Sequence, residues 1–403
     1  MEKVQGHRVL VISNGHGEDE IAAVLGEQLI RVAQEIDLEA FPLVGSGRAY
    51  LNRGIAVVMQ GEDLPSGGFS HNSLGNLWMD IKGGLFRHIR DQIRLLKTMR
   101  GQIDLAVCVG DVYLLILAGL FLKKPLFFLP TAKSDYIAPH WRGEIGLMRR
   151  YAQRIFPRDA VTAASLSRQG LPAEFAGNLM MDCLPFKNPA YFQEDGSWII
   201  SLLPGSRLEA YENMEDFTAV LATFENLAAE QGVSNGRRYY VALAGGLNIS
   251  VLAKKLETIG WVLKMPTTEE VTNGIGGHLC PRGDNFRVTV VQGRFADLLA
   301  VSDLVLGLAG TGNEQAVGLG KPVVTFPGRG AQFTKGFAER QKRLLGDSIC
   351  LLERNPVEVA EKVLDILTDP SLQERMGQIG RQRMGVPGGA EKIALRIKEY
   401  FSA

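Results

Sequence analysis

Short, continuously apolar segments recur along the chain, and longer segments with helical periodicity separate them. Segments that are hydrophobic at every position are typical of strands covered on both faces of a sheet. With helices between them, they predict an α/β fold of parallel sheets built from βαβ units. The predicted strands are residues 8–13, 105–110, 125–130, 198–204, 239–246, 287–293, 304–310 and 322–328.

One segment without periodicity interrupts this pattern. Residues 183–197 contain two prolines and a glycine, and they precede a new predicted strand. We therefore expect an N-terminal domain over 1–183, a linker over 184–197 and a C-terminal domain over 198–403, with the option that the last helix crosses back. Each is expected to be a doubly wound, Rossmann-like domain, the two facing across a cleft. The segment 265–287 is predicted to be a loop insertion.

The turn after one C-terminal strand is suited to a diphosphate. Open parallel sheets bind ligands beyond the carboxyl ends of their strands, and "LLPGSR" follows such an end. Gly205 and Ser206 allow a turn whose N–H groups point outward, and the planar fork of Arg207 matches a diphosphate. An ordinary strand-to-helix turn with a solvated arginine is the alternative interpretation.

A second glycine turn, "AGTGNE", leads into a predicted helix of the same domain. Helix N-termini attract phosphate, so the N–H groups around Thr311, Gly312 and Asn313 are candidates for nucleotide binding. Glu314, one turn further on, would accept hydrogen bonds from ribose hydroxyls, or would only cap the helix. Gly293, at another strand end, is a candidate for facing a nucleobase.

The N-terminal half places possible acid–base residues at two strand ends. Gly15 and Gly17 flank His16, whose ordinary pKa of about 6.5 suits a general base. Asp111 follows a later strand and would hold His16 in one tautomer, or would be the base itself. The alternatives are a His16 bonded to a backbone carbonyl and an Asp111 that stabilises its turn.

Residues 83–101 predict an amphipathic helix with a basic face. Such a helix packs on its sheet and exposes that face to water, or lies against anionic lipid, which the nearby Trp78 favours. Its apolar positions are Leu85, Ile89, Ile93 and Leu96, and its basic positions are Arg87, Arg90, Arg94 and Lys97.

Composition narrows the function further. Lys plus Arg and Asp plus Glu number 44 each, so the overall charge of the protein does not favour binding to nucleic acid. Four scattered cysteines indicate reduced thiols and no zinc site. The apolar segment 112–130 is interrupted by Lys123, Lys124 and Pro125 and falls short of the roughly 20 residues of a membrane crossing. We expect a cytoplasmic protein without a cleaved leader, at most attached to a membrane surface.

Across nearly the whole chain, the order of these motifs resembles lipid-A-disaccharide synthase, a glycosyltransferase of the GT-B fold. The matching segments are "SNGHGED", "VGDVY", "AGNLMMD" (176–182), "LLPGSRLE" and "AGTGNEQAVGLGKPVV". The resemblance implies transfer of a UDP-activated diacylglucosamine to a monophosphorylated acylated glucosamine, without metal, at the cytoplasmic face of the inner membrane. It carries functional roles over to Asp111, Arg207, Thr311 and Glu314.

Two positions depart from that family, and a third resembles other UDP-sugar enzymes. Asn178 stands where the family has a histidine, and His16 stands where the family has none. A Gly-His loop with a later strand-end aspartate is similar to other GT-B enzymes, in which this histidine is the base. Gln332 lies in a loop where several UDP-sugar enzymes contact the donor sugar. A related enzyme with a different acceptor is therefore implied.

The expected function is an inverting glycosyltransferase with a UDP-sugar as donor substrate and no metal or other cofactor. The C-terminal domain would bind the nucleotide-sugar donor, and the N-terminal domain a lipid or glycolipid acceptor near Gly15, Gly17 and Asn178, with peripheral membrane contact through 83–100. A UDP-N-acetylglucosamine 2-epimerase and a non-catalytic nucleotide-sugar-binding protein are the alternatives. The sugar, the acceptor, the oligomeric state and the choice between His16 and Asp111 stay open.

Overall fold

The computed structural model describes residues 6–60, 85–193, 196–283 and 286–402, without the side chains of His16, Leu85 and Phe86. The chain forms two compact units, Met1–Cys183 with Val386–Ala403, and Leu184–Gly385. Each unit has its own sheet and its own hydrophobic core. Trp78, proposed above as a lipid contact, lies outside the described residues.

The N-terminal unit is built on a six-stranded parallel sheet in the order β3-β2-β1-β4-β5-β6. Its order reverses between β1 and β4, which makes that pair the topological switch point of the sheet. The strands are β1 (His7–Ser13), β2 (Ile36–Pro42), β3 (Ala56–Val57), β4 (Leu105–Gly110), β5 (Leu126–Pro130) and β6 (Ala152–Ile155). The helices are α1 (His16–Val32), α2 (Arg48–Leu51), α3 (Leu85–Met99), α4 (Val112–Phe121), α5 (Arg142–Tyr151) and α6 (Ala160–Arg168).

Helix α3 is the predicted basic helix, but its buried stripe differs from the prediction. His88, Gln92, Leu96 and Met99 are buried, whereas Ile89 and Ile93 are only half-buried. The polar members of this stripe are satisfied because His88 Nε2 lies 2.7 Å from the Leu43 carbonyl and Gln92 Nε2 donates to it at 2.8 Å. Pairing with a carbonyl lets two polar side chains occupy core positions.

The C-terminal unit is built on an eight-stranded sheet in the order β14-β13-β12-β7-β8-β11-β10-β9. Its switch point lies between β7 and β12. The strands are β7 (Ser197–Leu203), β8 (Gly236–Ala242), β9 (Trp261–Lys264), β10 (Ile275–Pro281), β11 (Val288–Val291), β12 (Leu304–Gly307), β13 (Val323–Thr325) and β14 (Ile349–Leu351). The helices are α7 (Ala210–Glu230), α8 (Ile249–Glu257), α9 (Thr268–Thr272), α10 (Phe295–Val301), α11 (Gly310–Gly318), α12 (Lys335–Leu345), α13 (Pro356–Thr368) and α14 (Pro370–Met384).

The predicted loop insertion 265–287 is wrong for most of its described length. It contains α9 and the strand β10, which pairs antiparallel with both β9 and β11. The glycines that suggested a loop allow close packing and a bulge between Ile275 and Gly277. Gly277 has a φ of +149°, and an added Cβ would lie 3.0 Å from the Lys264 carbonyl oxygen of β9, so a side chain is disfavoured there.

The segment predicted as a linker packs onto the C-terminal unit. Its Pro189–Phe192 part forms a 3₁₀ helix, and Phe192 is buried against Ile275 and Leu298. The backbone N–H groups of Lys187 and Asn188 donate to Asp297 Oδ1 at 2.8 and 3.1 Å. The burial of Phe192 and the hydrogen bonds to Asp297 thus hold in place a segment that composition predicted to be a linker.

The last helix, α15 (Gly389–Ser402), belongs to the N-terminal unit. The rings of Phe401 and His7 stack with centroids 4.2 Å apart. At the other end of α15, the Asp182 carboxylate accepts hydrogen bonds from the N–H groups of Gly388 and Ala390. A carboxylate at a helix N-terminus satisfies N–H groups that have no intrahelical partner.

Candidate functional site

A pocket of about 550 Å³ opens at the carboxyl edge of the C-terminal sheet, at the switch point between β7 and β12. Its size is that of a small-molecule site. Residues 203–207, 242–245 and 308–312 line it, together with Phe295, Phe333 and Phe337. The predicted residues that line it are Gly205, Ser206, Arg207, Gly293, Thr311, Gly312 and Gln332. The structure therefore brings these residues together at one pocket.

The turn after β7 is held by a residue that sequence analysis missed. Asn213 on α7 is buried, and its Nδ2 donates to the Pro204 carbonyl at 2.8 Å. Its Oδ1 accepts from the backbone N–H of Arg329 at 2.8 Å. One amide thus joins two loops of the pocket that are distant in sequence. Within the polar stretch "YENMED" nothing distinguished it from a solvent-facing helix residue.

Gly205 needs its glycine for its backbone conformation. Its φ is +107°, a value that residues with a Cβ rarely adopt. An added Cβ would lie 3.4 Å from the Leu308 carbonyl oxygen, which is an ordinary contact distance, so the conformation and not the space requires glycine here.

The two arginines that line the pocket differ in what binds them. Arg329 donates to Asp216 at 2.7 and 3.0 Å and to Glu215 at 3.0 Å, and the hydrogen bonds to Asp216 raise the pKa of Arg329. Arg207 is exposed, and among the described residues none forms an ion pair or hydrogen bond with its side chain. Arg207 therefore presents an uncompensated positive charge to a ligand in the pocket.

The start of α11 presents unsatisfied N–H groups to the same pocket. Its N-cap residue is Ala309, no side chain caps it, and its first turn holds no acid. The first N–H groups of a helix have no intrahelical acceptor and carry about half a positive charge in total. Buried Gln341 fixes this turn by donating to the Gly310 carbonyl at 2.9 Å. An anion would be stabilised here.

The side chain of Asn313 points into the protein, so the predicted ligand contact of this residue stays a prediction for its backbone only. Asn313 is fully buried, and its Nδ2 donates to the Gly307 carbonyl at 3.0 Å and to Gln341 Oε1 at 2.9 Å. It positions α11 and does not line the pocket. Glu314 is half-buried, interacts within the protein and lies outside the lining, so its ribose role stays a prediction.

The switch point of the N-terminal sheet ties the loops after β1 and β4 together. Asn14 Oδ1 accepts from the backbone N–H of Asp111 at 2.9 Å. Asp111 is the N-cap of α4, where its Oδ1 accepts from the N–H of Tyr113 at 2.9 Å. The turn-stabilising interpretation of Asp111 therefore holds for one of its oxygens. His16 is the first residue of α1 after Gly15, and its side chain lies outside the description, so the pairing of His16 with Asp111 stays a prediction.

A further carboxylate, missed from the sequence, lies beside this switch point. Glu18 follows Gly17 in the first turn of α1 and is half-buried. Desolvation raises its pKa, and the negative charges of Asp111 and Asp19 add to the rise, while the Thr131 hydroxyl opposes it. A carboxyl group with a raised pKa at a strand end is a candidate for acid–base chemistry.

The last acceptor candidate, Asn178, lines a second, much smaller cavity of about 20 Å³ in the N-terminal unit. It is buried, and its Oδ1 accepts from the N–H of Met180 at 3.2 Å. Thr131 and Arg158 line the same cavity.

The described residues offer neither a membrane-spanning helix nor a metal-binding cluster. Within the described ranges, no helix is both long and apolar enough to cross a membrane. No group of three or more His, Cys, Asp or Glu side chains in that part of the chain is placed to hold a metal ion. Its four cysteines are unpaired, with Cys108 buried and the other three half-buried.

No family model and no curated protein matches the sequence, whereas solved structures match its fold over almost its whole length. UDP-GlcNAc 2-epimerase from Neisseria meningitidis, bound to UDP-GlcNAc, matches with a TM-score of 0.59 and 16% identity, covering 98% of this chain and 100% of that one. The calicheamicin glycosyltransferase CalG4 matches with a TM-score of 0.63 and 15% identity over 99% of both chains. MurG from Acinetobacter baumannii matches with a TM-score of 0.58 and 12% identity, covering 98% of this chain and 99% of that one.

These matches confirm the predicted fold class, GT-B, with two parallel-sheet Rossmann-like units. At such identities the likeness concerns the fold alone, since one fold hosts many functions. None of the three structures is a lipid-A-disaccharide synthase, so that finer resemblance is not shown by them.

Proposed function

We propose that this protein is a glycosyltransferase that moves a sugar from a UDP-sugar to a hydroxyl of a lipid-linked or acylated sugar, in the manner of lipid-A-disaccharide synthase. One observation carries the proposal: the unpaired Arg207 guanidinium and the uncapped start of α11 line one pocket. Both favour the paired negative charges of a diphosphate. That the structural neighbours include UDP-sugar enzymes supports the choice of nucleotide.

In this proposal, each pocket element stabilises the leaving group. Gly205 and Ser206 let the diphosphate approach the backbone, and Arg207 with the N–H groups of Thr311 and Gly312 neutralises the charge that develops as the glycosidic bond breaks. Displacement by an acceptor hydroxyl in a single step inverts the anomeric carbon. No metal is assigned a role, and Gln332 is assigned to the donor sugar, Gly293 to the base and Glu314 to the ribose.

The donor is tested by a thermal-shift panel of UDP, GDP, ADP and UDP-sugars. A ligand that binds only the folded protein raises its Tm by mass action. We expect UDP and a UDP-sugar to raise the Tm of the wild type, and to raise it much less in Arg207→Gln. Arg282→Gln, which changes an exposed arginine outside the pocket lining, is the matched control. Equal shifts for all three nucleotides would remove the uridine assignment.

A UDP-N-acetylglucosamine 2-epimerase is the second candidate, because a structural neighbour with this activity matches over the whole chain. That reaction needs no acceptor. Incubation with UDP-N-acetylglucosamine alone, followed by NMR of the product, separates the two functions. Formation of the C2 epimer would establish the epimerase, and an unchanged donor supports the transferase.

We also propose that α3 contacts the lipid surface from which an acylated acceptor is drawn, at the cytoplasmic face of a membrane. The side chains of Arg87, Arg90 and Arg94 are 80%, 60% and 68% exposed around Asp91. Exposed basic side chains attract anionic lipid headgroups. Sedimentation with vesicles containing phosphatidylglycerol should exceed that with phosphatidylcholine vesicles, and replacing all three arginines by Gln should abolish the difference.

A further inference from the structure

The small cavity of the N-terminal unit has room for about one oxygen atom. Its volume is about 20 Å³, slightly more than one water molecule requires. It lies where β5 and β6 end: Thr131 follows β5, Arg158 follows β6, and Ile21 of α1 forms another wall. Apart from Thr131, Arg158 and Asn178, its lining side chains are apolar.

One lining side chain of this cavity is buried and has a hydrogen-bond donor without a partner among the described residues. Asn178 is only 4% exposed, and its Nδ2 has no hydrogen-bond acceptor. A buried group without a partner costs about 1–3 kcal/mol, so a polar ligand that bonds it is favoured.

Glu18 is adjacent to the cavity. It precedes Ile21 by three residues, so the two lie on the same face of α1, and Ile21 lines the cavity. The Thr131 hydroxyl, which also lines the cavity, interacts with the Glu18 carboxylate. The carboxylate is largely desolvated, so it accepts a proton more readily than a surface glutamate.

These groups together select a neutral hydroxyl. The Asn178 amide and the Arg158 guanidinium are hydrogen-bond donors, and the Glu18 carboxylate is an acceptor. A hydroxyl satisfies both kinds of group at once. A phosphate, with its four oxygen atoms, is too large for a cavity of about 20 Å³. A sugar hydroxyl therefore fits this site better than a phosphate.

We propose that the cavity at Thr131 and Asn178 holds the reacting hydroxyl of a carbohydrate acceptor and that the Glu18 carboxylate takes its proton. This inference rests on the proposed function, which supplies the UDP-sugar. The acceptor O–H bond breaks and its proton goes to Glu18, while the acceptor oxygen forms a bond to the anomeric carbon of the donor. The bond from that carbon to the phosphate oxygen breaks, and UDP leaves with the electron pair.

The test compares Glu18→Gln with Glu20→Gln, which changes a half-exposed glutamate on the same helix. UDP affinity is measured by calorimetry. UDP release is measured from UDP-glucose and UDP-N-acetylglucosamine, each with octyl β-D-glucoside or octyl N-acetyl-β-D-glucosaminide as acceptor. Loss of a general base lowers turnover by about 10²–10⁴-fold. We expect at least a 100-fold loss of kcat in Glu18→Gln, unchanged UDP affinity in both variants, and near wild-type kcat in Glu20→Gln.

Other results separate the two proposals. A wild type that binds no uridine nucleotide overturns the proposed function itself. A wild type that binds UDP, with a Glu18→Gln variant that keeps more than a tenth of its turnover, overturns the base assignment alone. UDP binding without release from either donor on either glycoside also contradicts this site. Glu18→Asp is the control for misfolding. It keeps the carboxylate, so it should retain more activity than Glu18→Gln.

Discussion

The two sheets have the same topology at their switch points, yet the helices that begin there differ in whether their positive ends are already compensated by acids. Helix α11 of the C-terminal unit starts with no capping side chain and no acid in its first turn. Helix α1 of the N-terminal unit carries Glu18 and Asp19 in its first turn, and α4 beside it is capped by Asp111. The positive ends of these helices are therefore free in one unit and already compensated in the other.

The pocket of the C-terminal unit and the small cavity of the N-terminal unit also differ, in their volume. The C-terminal pocket of about 550 Å³ has room for a nucleotide, whereas the N-terminal cavity of about 20 Å³ has room for one polar atom. This difference suggests that one fold repeated in a chain serves two tasks. One switch point would hold a large anion, and the other would hold a hydroxyl next to a carboxylate.

The largest expected effect comes from giving α11 the acidic first turn of α1. Thr311 is exposed and lines the pocket, so Thr311→Asp would place a carboxylate where the diphosphate is proposed to bind. We expect calorimetry to show about a 100-fold loss of UDP affinity, whereas stability should hold or rise slightly, since acids favour helix N-termini. The neutral Thr311→Asn is the matched control. Equal UDP affinity in the two variants would contradict an anion site at α11.

A smaller effect is expected where the pocket loops are joined. In Asn213→Asp, a carboxylate oxygen replaces the amide nitrogen that donates to the Pro204 carbonyl, so two acceptors face each other in a buried site. A lost buried hydrogen bond with an unsatisfied group costs about 1–3 kcal/mol. Urea unfolding should show a loss of about 2 kcal/mol, with weaker UDP binding. An unchanged midpoint would mean that Asn213 does not hold the turn.

The smallest expected effect concerns the stability cost of Glu18. Because its folded-state pKa is raised, the folded protein holds this proton to higher pH than the unfolded chain does. Ionised Glu18 lowers the stability of the folded protein. This loss of stability is absent below the pKa that Glu18 has in the unfolded chain, and it grows as the pH rises through the pKa that Glu18 has in the folded protein. Glu18→Gln should therefore match the wild type in urea midpoint near pH 4 and exceed it near pH 7. A midpoint difference independent of pH would contradict the desolvated carboxylate.

Sequence patterns predicted the strands because buried parallel strands are apolar at every position. All eight predicted strands are present, from β1 to β13. Glycines misled the prediction where they serve close packing, as at Gly277 in β10. The sequence pattern also gave no sign that residues 184–193 would be held against the C-terminal unit. Asp297, which accepts the N–H groups of Lys187 and Asn188, lies over a hundred positions away in the sequence.

The candidate site was predictable only as far as local motifs define it. Gly205 and Arg207 were found because a glycine turn after a strand is a local signal. Asn313 was included because it neighbours Gly312, but the rotation of α11 turns its side chain to Gly307 and Gln341. Asn213 and Glu18 were missed because their roles arise from tertiary neighbours: Pro204 and Arg329 for the first, Asp111 and Thr131 for the second.

The most direct test of the central claim measures the binding of UDP and of uridine to the wild type and to Arg207→Gln by calorimetry. If Arg207 and the start of α11 hold a diphosphate, UDP binds the wild type much more tightly than uridine does. The substitution should then weaken UDP binding by about 10–100-fold, as expected for a charge-assisted contact worth about 1.5–3 kcal/mol. The affinity for uridine should stay unchanged. Equal affinities of the wild type for UDP and uridine would contradict the claim.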